Sequence, residues 1–380
     1  MTPLQGLRIL DFSTLLPGPF CTVVLSDLGA EVIRLEAPDR TDLLREYNPT
    51  GHRTINRNKR SIAIDLKQAG ADQFVIETLL PNFDILVEQF RPGVMQRLGL
   101  DYESLKSKFP KLIYCSISGY GQNNRNAHRA AHDLNLVARS GMASYGSSSD
   151  LGPEIPSNQW ADIGGGSMYA MVAILSAVIE RQRSGLGQHL DVSMLHGSLN
   201  NQLMYAAEIL DNNATVKPRS QVLNGGSLYG YYRCRDGRFL AIASLETHFL
   251  KELSNILELP DLLKTTNQSE LKSMISNKIV SHNYATWLKK FENSNCCVDP
   301  VLSLEEALEE NPEQVIQLQD GSRQLAHPVK FSRSTLNYTH SGCPAGQHTI
   351  QVLKEFGLSD IKLDELKKQG IIRLPKPPAD

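Results

Sequence analysis

Short apolar runs alternate with longer stretches of helical spacing over the first third of the chain. Leu7–Phe12, Glu31–Leu35, Ser61–Leu66, Asp84–Gln89 and Leu112–Ser118 read as strands, and Pro19–Leu28, Ala69–Leu80 and Tyr102–Phe109 as helices. Val32, Ile33, Ile62, Ile64, Ile85, Leu86 and Val87 suit strands covered on both faces, which predicts core positions for them. This alternation is the pattern of a parallel sheet covered by helices.

A Gly/Ser/Pro-rich loop, Gly146–Ser157, precedes a strongly apolar helix over Gly165–Arg181, a strand over Gln188–Val192 and a helix over Leu195–Leu210. Residues 211–226 show little periodicity and carry Asn, Pro and Gly, so they read as a linker. Tyr229–Cys234, the turn Arg235-Asp236-Gly237 and Phe239–Ser244 predict a hairpin, followed by helices over Thr247–Leu257, Ser269–Ser281 and Tyr284–Glu292. The expected organisation is α/β: a large Rossmann-like domain over 1–210, a smaller α+β domain over 227–329, and residues 330–380 returning to the first through helices at Gly346–Phe356 and Asp360–Gln369.

With Lys+Arg 39 against Asp+Glu 41, the chain lacks the net basic face that nucleic acid or an anionic membrane surface demands. Met1–Leu10 has no basic segment followed by an apolar run, and Met168–Ile179 falls short of the roughly 18 apolar residues that span a bilayer, so neither signal peptide nor membrane span is expected. Cys21, Cys115, Cys234, Cys296, Cys297 and Cys343 form no C-x-x-C pair, which places the chain in a reducing, cytoplasmic compartment. His128 and His132 have the i,i+4 spacing of a helical metal pair, but no further ligands surround them and no metal is expected.

Generic nucleotide and hydrolase motifs fail on inspection. Gly119-Tyr120-Gly121 ends in Asn124 where a dinucleotide fingerprint needs a third glycine, and neither a P-loop nor Gly-x-Ser-x-Gly occurs. More telling is Trp160-Ala161-Asp162-Ile163-Gly164-Gly165-Gly166-Ser167-Met168, which leads into the apolar helix. Asp162 reads either as a helix cap with glycines for close packing, or as a carboxylate beside backbone donors that suit a developing oxyanion.

In sequence order, Asp11-Phe12-Ser13 with Pro17-Gly18-Pro19, Asp27-Leu28-Gly29-Ala30-Glu31-Val32-Ile33-Arg34, Arg57-Asn58-Lys59-Arg60-Ser61, Phe90-Arg91-Pro92-Gly93, Ser118-Gly119-Tyr120-Gly121-Gln122, Asp162-Ile163-Gly164-Gly165-Gly166 and Asp191-Val192-Ser193-Met194 resemble the class III CoA-transferases. The resemblance covers roughly residues 3–330. It implies an intertwined homodimer acting on acyl-CoA thioesters, with coenzyme A as part of the substrate and no permanent cofactor. His132-Asp133, with Ala131 in place of the usual glycine, and Glu246 after the small-domain strand resemble the α-methylacyl-CoA racemase branch.

That resemblance implies proton transfer by His132 and Asp162, with Glu246 tuning His132, and backbone donors at Gly164, Gly165 and Gly166 for the enolate oxygen. It implies coenzyme A contacts from Arg34, Arg57, Lys59, Arg91, Gly119, Tyr120 and Gly121. The alternatives are a CoA-transferase with Asp162 as nucleophile and a non-catalytic acyl-CoA-binding protein. Ala37 stands where racemases often carry an arginine, with Arg34 and Arg40 as nearby substitutes, and the basic loop Asn123–Ala131 lacks the usual Gly-Pro.

Overall fold

The computed structural model describes residues 1–39, 42–146, 152–336 and 338–374. It contains two compact units, the first formed by Met1–Ser140, Pro156–Asn201 and the chain from Glu313 onward, the second by Gly141–Ile155 and Gln202–Pro312. Arg40 lies outside the described residues.

The first unit is a six-stranded, all-parallel sheet of β1 (Arg8–Asp11), β2 (Glu31–Glu36), β3 (Arg60–Ala63), β4 (Ile85–Glu88), β5 (Ile113–Ser118) and β6 (His189–Ser193). Their order is β3-β2-β1-β4-β5-β6, the doubly wound Rossmann arrangement. The predicted strand positions Val32, Ile33, Ile62, Ile64, Ile85, Leu86 and Val87 are each at most 1% exposed, as strands covered on both sides demand. One face carries a core of Leu10, Ile33, Ile62, Leu86 and Tyr114, to which Val352, Leu353, Leu363 and Leu366 from the C-terminal helices Thr349–Glu355 and Asp360–Lys368 are added.

Helix α1 (Pro17–Asp27) opens with proline, whose fixed φ suits the first helical turn, and packs on β1. Helix α2 (Asp133–Arg139) follows β5. A π-helical stretch, Trp160–Ser167, runs into α3 (Met168–Ser184), which packs against α1, β5 and β6.

The glycines at 164–166 therefore lie inside a helix that starts earlier than its apolar pattern suggests. At 25 residues, with an 18-residue window of mean hydropathy 1.5, this helix is long and apolar enough to cross a bilayer, which corrects the expected shortfall. Ala170, Met171, Ile174, Ala177 and Val178 are nevertheless buried in the protein, as in a core helix.

The single helix expected over Leu195–Leu210 is two, α4 (Met194–Asn200) and α5 (Leu203–Asn212). Asn200, Asn201 and Gln202 sit at the break, where asparagine is a weak helix former and Gln202 leaves helical geometry at φ −107°, ψ 21°. The division between units falls at this break, so α5 belongs to the second unit, and residues 313–329 belong to the first.

The second unit holds an antiparallel sheet of β7 (Gly230–Arg233), β8 (Phe239–Ile242) and β9 (Val298–Pro300). Helices α6 (Thr247–Leu257), α7 (Gln268–Ile279) and α8 (Tyr284–Phe291) share a core with it around Trp287, Leu240, Leu253 and Ile275.

Candidate active site

In an open α/β sheet the crevice beyond the carboxyl ends of the strands, where strand order reverses, is the natural ligand position. Here the reversal lies between β1 and β4. Beyond β1 the chain builds a buried polar layer. Asp11 accepts from Ser13 N at 2.8 Å and Thr22 Oγ1 at 2.6 Å. Lys59 Nζ donates to Thr22 Oγ1 at 2.7 Å, Pro19 O at 2.8 Å and Asn56 Oδ1 at 3.1 Å. Burial pulls the Lys59 ammonium down to about 7, against the opposing pull of Asp11.

Three of the four cations expected to meet coenzyme A are thus committed inside the first unit. Lys59 is 1% exposed. Arg57 forms a fork with Asp27, Nε at 2.8 Å and Nη2 at 2.5 Å, and donates to Leu325 O at 2.8 Å. Arg34, 2% exposed, pairs with Asp42 at 3.1 Å and Glu36 at 3.5 Å and lies 3.0 Å from His52 Nε2. The reason is general: a cation enclosed by a fold survives only with carboxylates or carbonyls around it, and a sequence motif does not say which cations are enclosed.

Arg91 alone of the four is exposed, with no side-chain partner among the described residues. Sequence reasoning missed a cavity of about 860 Å³ lined by Arg45, Arg53 and Arg373, of which Arg45 pairs with Glu36 at 2.9 Å and Arg373 with Asp39.

Gly119, Tyr120 and Gly121 follow β5. Gly121 turns the chain at φ +81° and donates to Ser118 Oγ at 3.0 Å, while Asp191 takes Gln122 N at 2.9 Å. The Tyr120 ring is buried, 5.8 Å beneath the Arg139 guanidinium, so this segment shapes a turn and offers no phenol to solvent.

Asp133, which motif reading treated only as company for the histidine, ties the backbone next to His132 to that of Asp162. His132, exposed, is the N-cap of α2, where its backbone N donates to Asn135 Oδ1 at 3.0 Å. The next side chain, Asp133, reaches back to the start of the glycine-rich helix and accepts from Ala161 N at 2.7 Å and Asp162 N at 2.9 Å. One carboxylate thereby satisfies two free amides of that helix and ties it to the peptide carrying His132. Burial, then the Asp133 charge, push the Asp162 carboxyl up from 3.8 to about 7.

His128 lies in a turn before α2, so the i,i+4 helical spacing with His132 is not realised.

The glycines serve packing. A Cβ at Gly165 would lie 2.5 Å from Met194 O, one at Gly166 2.8 Å from Met194 Cγ, and one at Gly197 2.0 Å from Gly165 O. Their absence lets the π-helical stretch and α4 touch backbone to backbone. Gly165 and Gly166 are buried there, and the amides at the start of the helix, those of Ala161 and Asp162, are taken by Asp133. In the second unit Glu246 stands exposed at the N-cap of α6, in extended backbone, and its side chain makes no cap hydrogen bond.

Comparison with known proteins settles the family. The model of CoA-transferase family III matches residues 4–349. The chain belongs to this family. The mouse α-methylacyl-CoA racemase is 35% identical over 98% of both chains, and the human one 33% over 98% of both. Mouse succinyl-CoA:glutarate CoA-transferase is 32% identical over 93% of this chain and 86% of its own. A crystal structure of a CaiB/BaiF family protein from Brucella suis has a TM-score of 0.81 at 26% identity, covering 93% of this chain and 99% of its own. Racemases and CoA-transferases of the family thus stand at similar distance, and this family III protein is an enzyme of acyl-CoA thioesters.

Proposed function

We propose that this family III enzyme is an α-methylacyl-CoA racemase-like isomerase, interconverting (R)- and (S)-2-methylacyl-CoA by removal and return of the α-proton. The observation that carries the reading is the Asp162 carboxyl, held at about 7 beside the peptide that bears His132. A group that titrates near neutrality both takes and gives protons at working pH, as an α-proton exchanger must.

In this mechanism the thioester acidifies the α-carbon, Asp162 takes the proton on one face, and His132 returns one on the other. Glu246 enters on the resemblance, as the charge that favours the imidazolium form of His132. Arg91 and, at the cavity near β2 and β3, Arg53 are assigned to the coenzyme A phosphates, with the shared fold behind the assignment. The enzyme is proposed to act as a homodimer in the cytoplasm. Helix α5, which buries none of its residues and leaves Leu203, Met204 and Leu210 at least 60% exposed, supports association with a second copy.

The test is mass spectrometry of a panel of 2-methylacyl-CoAs incubated with the protein in D2O. Deuterium at the α-carbon, with no second acyl acceptor present, is the expected result. Transfer of coenzyme A to a free acid without deuterium uptake, accompanied by an acyl-enzyme that hydroxylamine traps, would replace the racemase with a transferase using Asp162 as nucleophile. Tight binding with neither reaction would make the protein a non-catalytic acyl-CoA binder.

A further inference from the structure

The loop that leaves β1, where strand order reverses, is fastened at both ends and in the middle. Arg34 Nη2 donates to Ser13 O at 3.4 Å, and Asp42 accepts Leu15 N on both carboxylate oxygens, at 3.1 and 3.2 Å. Arg34 and Asp42 are themselves a buried ion pair, so one enclosed pair holds two points of the loop. Further along, Ser167 Oγ donates to Pro17 O at 2.6 Å, and Gln89 Oε1, from the loop beyond β4, accepts Gly18 N at 2.8 Å. Ser167 Oγ also lies 3.0 Å from Asp162 O, which joins this loop to the segment that carries the Asp162 carboxyl.

Between these anchors Leu15 stands at φ +60°, a left-handed conformation in which the leucine Cβ crowds its own backbone. Such geometry persists only where the surroundings impose it, and residues held this way gather at ligand sites. Here the imposing group is Asp42, which takes the Leu15 amide while also accepting Leu44 N at 3.0 Å and Arg34 Nη2 at 3.1 Å. Without it Leu15 would relax to an ordinary backbone, and the half-buried side chains of Leu15 and Leu16 would move with it. These are the apolar groups that the loop brings to the crevice beyond β1.

We propose that Asp42 is a positioning residue for the acyl group: by holding the Leu15 peptide in left-handed geometry it sets Leu15 and Leu16 as an apolar wall for the branched acyl chain. Affinity for the acyl part of the thioester then depends on a buried carboxylate that never meets it. The inference rests on the acyl-CoA reading of the crevice, and it holds whether the bound thioester is racemised or transferred.

Isothermal titration of the full-length protein with isobutyryl-CoA and, separately, free coenzyme A tests it, because the difference between the two affinities belongs to the acyl group. The parent protein should bind isobutyryl-CoA at least about tenfold more tightly than coenzyme A. Asp42→Asn offers one acceptor oxygen where three donors converge, and should shrink that margin to about twofold while coenzyme A affinity stays within about threefold. Glycine takes left-handed geometry without a clamp, so on a Leu15→Gly background Asp42→Asn should alter isobutyryl-CoA affinity by about twofold at most, and lower the melting temperature less than it does on leucine. If Asp42→Asn alone does not fold, recovery of folding in the double variant supports the proposal, and failure of both to fold overturns it, since Asp42 would then serve Arg34 alone. A parent protein that binds the two ligands equally also overturns it, as do equal losses of both affinities in Asp42→Asn, or the same loss on the glycine and leucine backgrounds. Deuterium uptake from D2O by the parent protein is read separately, so the proton-transfer reading and this one fail independently.

Discussion

Replacing Asp162 by asparagine should cut turnover steeply and, at alkaline pH, make the protein more stable. The carboxyl titrates at 3.8 in an unfolded chain and at about 7 in the folded one, raised first by burial and then by Asp133. An acid with a higher folded pKa binds its proton more tightly in the native state. Between about pH 4 and 7 the native protein therefore holds more protons than the unfolded chain, and stability falls as pH rises through that window. Above about pH 7 the cost is complete, and below about pH 4 it vanishes.

The shift spans about three units, or about 4 kcal/mol if fully expressed. Asp162 is only partly covered, and solvent screening reduces this to about 2 kcal/mol. Asparagine keeps the shape and carries no charge to bury. Urea denaturation at pH 8 should show Asp162→Asn gaining about 2 kcal/mol over the parent protein, with the two equal near pH 4. Deuterium exchange at the α-carbon of a 2-methylacyl-CoA should fall by about 10²–10⁴-fold, the usual worth of a positioned acid or base. Stability curves that run parallel from pH 4 to 8 would refute the raised pKa. Exchange at the parental rate would leave Asp162 a helix-end residue and no base.

Asp133→Asn removes the charge that helps lift Asp162 while keeping an acceptor for the helix amides, so the acid limb of the pH profile of kcat/KM for α-exchange should move to lower pH; an unmoved limb rules out the coupling. Glu246→Gln should cost at most about 0.3–1 kcal/mol of stability, since the side chain makes no cap bond, while exchange drops and coenzyme A binding survives; unchanged kinetics would reduce Glu246 to a helix-start residue. Arg57→Met strands the buried Asp27 carboxylate, so urea denaturation should show a loss of about 3–5 kcal/mol; lost coenzyme A affinity with intact stability would instead return Arg57 to the phosphate site.

The sheet was legible because its cause is local. Aliphatic runs at Val32–Ile33, Ile62–Ile64 and Ile85–Val87 can satisfy their apolar surface only as strands covered on both faces, and the intervening helical spacing requires parallel connections. The family was legible because ordered motifs from Asp11 to Met194 share one chain, a coincidence no single motif supplies. The length of the helix through Gly164–Gly166 was not, because glycine costs a helix only about 1 kcal/mol, and backbone contact with α4 outweighs that once both elements are in place.

Which cations are free to meet a ligand was likewise beyond the sequence. Arg34, Arg57, Lys59 and Arg91 look alike as letters, and enclosure depends on Asp42, Asp27 and Thr22, which the fold brings in from elsewhere along the chain. The same holds for Asp133. Its place beside His132 is written in the sequence, but its grip on the amides of Ala161 and Asp162 exists only because tertiary packing sets α2 against the start of the glycine-rich helix. Residue type and spacing determined the fold and nominated the chemistry; burial and long-range hydrogen bonding, which depend on residues distant in sequence, enclosed Arg34, Arg57 and Lys59 and raised the Asp162 carboxyl toward neutrality.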